Sequence, residues 1–165
     1  MNPEFLSGEA SASPAVEPLL EGARRLAALG AASGALAARN GPRVTTHAAV
    51  PFEVLTHQDF VEVADYDPHL DRLMVLGSRA PHPHAGMLQL VFRAKKEVGA
   101  LVLLENVQAD APEAKRGRTT LENALGILEA LRGRDAVRWT QHLIVVGRTP
   151  EETLARAEAL VGSAR

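Results

Sequence analysis

His82 and His84, separated by Pro83, put two imidazoles within three residues, a spacing that could hold a metal ion. The proline sits on a loop and leaves both rings' orientation open, so the competing reading is a solvated loop. Two further groups close runs that read as strands: Glu105 follows "GALVLL", and His142 interrupts "AVRWTQHLIVVG". Strand alternation sets Leu101, Leu103 and Glu105 on one face. His47, His57 and His69 fall in turn-like or helix-edge settings and are expected to be solvated. Trp139 and Thr140 lie on an expected core strand, where packing is the ordinary explanation. Lys115, Arg116 and Arg118 could meet an anion but read as a solvated loop cluster. No serine, threonine or lysine has a recognisable base beside it in the sequence.

Composition narrows the field. The 165 residues include no cysteine, which excludes thiolate zinc sites, a cysteine nucleophile and disulfides. The net charge of -2 gives no basic field to hold nucleic acid or acidic lipid. No apolar run approaches the roughly 20 residues that span a bilayer, and no signal-peptide pattern opens the chain, so a cytoplasmic protein is expected. With six aromatic residues, the core must come from Leu, Val and Ala, a composition common in GC-rich bacteria.

The elements that must position these groups follow from periodicity. Residues 1–14 are small, polar and aperiodic, and read as a flexible tail before one domain over 15–165. Val16, Leu19, Leu20, Ala23, Leu26 and Ala27 have helical spacing, with Gly30 as a stop. Asn40-Gly41 centres a hairpin between two short strands. "LTHQD" predicts one helical turn, and "FVEVAD" and "RLMVLG" predict strands separated by a turn. A helix over Met87–Phe92 leads to the buried strand "GALVLL", and 107–118 forms a surface loop. Leu121, Ala124, Leu125, Leu128 and Leu131 predict a helix ending at Gly133, then a single strand over 136–147. Thr149, Pro150 and Glu152 announce a final capped helix.

Four stretches in this order resemble the class II aldolase/adducin family. "LAALGAASGALAAR" resembles its first helix and Gly-Asn-x-Ser-x-Arg segment, and "VPFEVLTHQDFVEVADYD" the run after its Thr-Pro-Ser-Gly loop. "MLQLVFRAKKEVGALVLLENV" is similar to the helix and strand leading into its His-x-His pair. "GRDAVRWTQHLIVVGRTPEETLARAEAL" is similar to its closing strand and helix. The resemblance implies an α/β fold: a three-layer αβα sandwich on a mainly antiparallel central sheet. It also implies a homo-oligomer, commonly a tetramer.

In that family three histidines hold zinc, which polarises the substrate's carbonyl and enediolate oxygens, and a glutamate moves the proton. Carried across, the His-x-His pair falls on Leu103 and Glu105, the third histidine on His142, and the catalytic glutamate on His84. The two serines before that glutamate fall on His82 and Pro83. The phosphate-binding segments fall on Gly34, Ala35, Leu36 and Ala37, and on Thr46, His47, Ala48 and Ala49. Few anion donors remain. The resemblance therefore implies a diverged binding or interaction domain, a pseudoenzyme without sugar-phosphate aldolase activity. The alternative is a metal-dependent lyase or epimerase for a small hydroxy-carbonyl compound, with His84, Glu105 and His142 holding zinc or another divalent metal and His84 also catalytic. The plainer expectation for these three is a helix-flanking His84, a paired or solvated Glu105 and a satisfied His142.

Overall fold

The computed structural model describes residues 1–163. Its elements run β1 (Asn2–Ser7), α1 (Val16–Ala28), β2 (Gly34–Asn40), β3 (Arg43–His47), β4 (Phe60–Asp67), β5 (Arg72–Leu76), α2 (Ala85–Ala94), β6 (Ala100–Glu105), α3 (Thr120–Ala130), β7 (Ala136–Trp139), β8 (His142–Gly147) and α4 (Pro150–Ser163). One sheet holds all eight strands in the order β1-β5-β4-β3-β2-β6-β8-β7. Every pairing is antiparallel except β1 with β5.

Alternation along the central strands builds two cores. Leu101 and Leu103 of β6 join α2, α3, Ile144 and Trp139 on one face. Val102 and Leu104 join Leu36, Leu143, Val145 and helices α1 and α4 on the other. Helices on both faces of one sheet make the three-layer αβα sandwich. Burying a leucine such as Leu103 completely contributes about 1.5–3 kcal/mol. β2 and β6 approach so closely that a Cβ on Gly34, whose φ is +151°, would lie 2.0 Å from the Leu103 carbonyl oxygen. Only glycine fits there. Among the described residues no helix is long and apolar enough to cross a membrane.

Two expectations are corrected. The segment read as a flexible tail instead places Asn2–Ser7 on the sheet edge, in register from Asn2↔Arg72 to Ser7↔Leu76. Backbone pairing holds β1, and its side chains face solvent, so it carries no apolar alternation to read. The single strand expected over 136–147 is a hairpin: β7 and β8 pair from Trp139↔His142 back to Ala136↔Val145. Its turn, Thr140-Gln141, contains none of the residues that usually mark one, and Thr140 takes a φ of +56°. The β2–β3 hairpin does form, with its positive φ on Gly41.

Candidate functional site: an imidazole and carboxylate cluster

Three parts of the fold converge at one end of β6. Its last residue, Glu105, lies opposite His142 at the start of β8, on the same face as Leu103. The β7–β8 hairpin sets Trp139 beside His142. His84 supplies the N-cap position of α2, with no side-chain capping bond, and swings its ring towards the sheet. The backbone bonds His82 N–H to His47 O and Ala85 N–H to His82 O tie this segment to β3 and to the helix.

The structure brings His84, Glu105 and His142 into one cluster, with His82 and Trp139 added. The His84 ring stands edge-on to His142 (5.0 Å between centroids) and to Trp139 (5.2 Å), which itself stacks on His142. His82 lies 5.3 Å from His84. Glu105 is engaged on both oxygens: Ser33 Oγ donates to Oε2 at 2.7 Å, and His82 Nε2 lies 3.4 Å from Oε1. The His84 N–H points at His82 Nδ1 (3.3 Å), so this network assigns the proton of His82 to Nε2. His142 Nδ1 faces the Trp139 carbonyl (3.2 Å) and Thr140 Oγ1 (3.0 Å). Nδ1 can donate to that carbonyl in one tautomer or accept from the Thr140 hydroxyl in the other, and Nε2 has no bonded partner among the described residues.

Electrostatics follow burial. Burial lowers the pKa of His82 and His84 to about 4 each, so both are neutral at pH 7. The Ser33 hydroxyl, and then the neighbouring His82 and His142, hold Glu105 below the ordinary carboxylate range against the opposing effect of burial. His82 and Glu105 thus face each other at 3.4 Å as a neutral imidazole and an anion rather than as a pair of full charges.

As arranged, this donor set does not fit a cation. Among the described residues no group of three or more His, Asp or Glu side chains is placed to hold a metal ion. Leu103, which stands two residues before Glu105 on the same face, offers no lone pair and is fully buried.

Other expectations resolve individually. His47, expected in solvent, is fully buried: Nε2 accepts the Leu36 N–H at 3.0 Å and Nδ1 donates to Ala48 O at 2.7 Å. It locks β2 to β3, and burial lowers its pKa to about 4. His57 and His69 are exposed, the former against Glu17. Lys115 is exposed 3.9 Å from Glu129. Trp139 packs in the core, as expected, and its indole donates to Asn123. Sequence reasoning missed Ser33 and gave His82 no carboxylate partner. The His-Pro-His spacing signals His82, but nothing local marks Ser33.

No family model matches the chain, and no curated protein matches it. Solved structures do. YgbL from Escherichia coli, described as a putative aldolase/epimerase/decarboxylase, superposes with a TM-score of 0.72 at 14% identity, over 91% of this chain and 86% of that one. L-fuculose-1-phosphate aldolase from Thermus thermophilus gives 0.68 at 19% identity, over 89% and 90%. The N-terminal class II aldolase domain of a Thermoplasma acidophilum protein gives 0.63 at 9% identity, over 98% and 97%. Across about nine-tenths of its length, then, this chain has the fold of the class II aldolases.

Proposed function

We propose that this protein is a diverged class II aldolase/adducin-type domain that binds a ligand or partner and lacks sugar-phosphate aldolase activity. The observation that carries this reading is the pair Leu103 and Glu105: a leucine sealed in the core and, two residues on, a carboxylate that accepts a hydrogen bond from Ser33. Around Gly34–Ala37 the side chains are apolar and buried and offer no anion donors. The proposal includes a cytoplasmic homo-oligomer, for which light scattering gives the copy number. The test is metal analysis after dialysis against zinc and manganese, with an assay of L-fuculose 1-phosphate cleavage. The expected result is no stoichiometric metal and no cleavage; bound stoichiometric metal or measurable cleavage overturns the proposal.

One observation favours a second reading, a metal-dependent lyase or epimerase for a small hydroxy-carbonyl compound. His142 Nδ1 lies 3.2 Å from the Trp139 carbonyl, and in the tautomer protonated there it takes the arrangement by which metal-ligating histidines are oriented. In that reading His84, Glu105 and His142 would hold the ion, which would polarise a carbonyl. Stoichiometric metal lost on Glu105→Ala would favour it.

A further inference from the structure

Strand β1 adds one parallel edge to an otherwise antiparallel sheet, and it holds that place mostly through its backbone. Asn2 N–H donates to Asp71 O at 2.8 Å and Gly77 N–H to Ser7 O at 2.9 Å, at the two ends of the ladder. Side chains add little. Glu4 meets Arg72 at 3.3 Å in a half-exposed pair, the Met1 ammonium pairs with Asp71, and the Met1 side chain rests against the core. Phe5 and Leu6 stay 48% and 52% exposed. Fixing a residue's backbone costs at least as much as one backbone hydrogen bond returns, so a strand with few buried side chains opens locally at small cost.

The edge beneath β1 needs a cover more than β1 needs the edge. Leu73 and Val75 of β5 are fully buried, and without a neighbour β5 would bare a row of N–H and C=O groups beside that core. The outer side of β1 is blunted. Bonding groups alternate sides along a strand, and Asn2 N–H faces inward, so Pro3 faces outward, where its missing N–H costs nothing. The pairing then slips at a bulge between Phe5 and Ser7. The sheet ends at β1.

The tether behind β1 is loose. Gly8, Glu9, Ala10 and Ala12 are exposed, and Ser11 N–H approaches Phe60 O only at 3.4 Å. The chain is caught firmly at Ser13, which is buried and accepts from the Thr45 hydroxyl at 2.7 Å. From Ser7 to Ser13 an extended chain reaches about 20 Å. A terminal strand on such a tether can lie on its own β5 or on a neighbour's with identical contacts, because both copies present the same edge.

We infer that β1 is an exchangeable strand: the β5 edge accepts the β1 of a second copy in the register it gives its own, and reciprocal exchange joins two copies. Such an exchange covers both β5 edges, while Pro3 and the bulge leave neither β1 open to a third copy. This inference rests on the homo-oligomer in the proposed function and names the segment that links the copies.

The chain has no cysteine, so introduced thiols read the connection directly. Glu4 and Met74 stand opposite each other in the β1–β5 register, the first exposed and the second half-buried. The full chain carrying both Glu4→Cys and Met74→Cys, oxidised when dilute, should close a disulfide within one molecule. An equal mixture of chains carrying one substitution each, equilibrated at high protein concentration and then oxidised, should give a disulfide between unlike chains, located by peptide mass mapping. Unlike pairs should exceed like pairs several-fold, and dilution before oxidation should abolish them. Unlike pairs no commoner than like ones would mark random collision and overturn the inference, as would their absence. A folded double variant that forms no internal disulfide overturns it too, because β1 would then not lie on β5. An oligomer seen by light scattering without the unlike-chain disulfide keeps the homo-oligomer reading and overturns the exchange alone.

Discussion

Glu105 accepts a hydrogen bond from Ser33 at 2.7 Å, joining the end of β6 to the residue just before β2. The backbone repeats the link, since Glu105 N–H donates to Ser33 O at 3.1 Å. The hydroxyl is the largest influence lowering the Glu105 pKa, ahead of the nearby imidazoles. Ser33→Ala should therefore raise the Glu105 pKa, while the backbone bond keeps the strand in place. A carboxyl ¹³C titration of wild type and variant reads the shift directly; an unchanged midpoint would mean the hydroxyl bond does not form.

Acid should unfold the protein earlier than its carboxylates alone require. His47, His82 and His84 each have a pKa lowered from 6.5 to about 4 in the folded state. Between those values the unfolded chain binds more protons than the folded one, so stability falls as pH drops from 6.5 towards 4. Below that window these groups add no further loss. For fully buried His47 the loss is on the order of 3 kcal/mol, at about 1.4 kcal/mol per pKa unit. Urea denaturation from pH 7 to 4 should show this slope, and His47→Gln should flatten it by about one proton.

Thr140 stands at the first central position of a two-residue hairpin turn, where glycine is preferred. Thr140→Gly should relieve the strained φ and stabilise the fold by about 1 kcal/mol, after the loss of an exposed hydroxyl contact to His142. Thermal melting should rise by a few degrees, while the His142 ring resonances broaden or shift. A lower melting temperature would show that the hydroxyl bond outweighs the strain.

How much of this was legible in the sequence depended on whether the signal was local. Leu101, Val102, Leu103 and Leu104 read as a strand buried on both faces, and they divide between two cores. The α1 stop at Gly30 and the Thr149 cap read equally well, since each acts within a few residues. The Thr140 turn was silent because strain, rather than glycine, makes it. Edge strand β1 was silent because only its backbone is engaged. The Glu105–His82 pair and its Ser33 support join three segments far apart in the chain, and no spacing rule reaches them. His47 was misjudged because the small residues after it and Pro51 look like a turn, whereas its ring closes two backbone groups inside the sheet.

Leu103 offers the sharpest test of whether a cation pocket persists in latent form. It pairs with Ala35 on one side and Ile144 on the other, fully buried, two residues before Glu105 on the same face. Leu103→His would restore the imidazole implied by the family resemblance, at the expense of apolar packing and with a polar ring among hydrocarbon neighbours. The expected loss is at least about 2 kcal/mol in metal-free buffer. Because Glu105 is already held by Ser33 and His82, equimolar zinc should leave that loss in place, as read by chemical denaturation with and without the ion. Full recovery of wild-type stability on adding zinc would show instead that His84, Glu105 and His142 lack only one donor, and that a latent cation pocket survives in this chain.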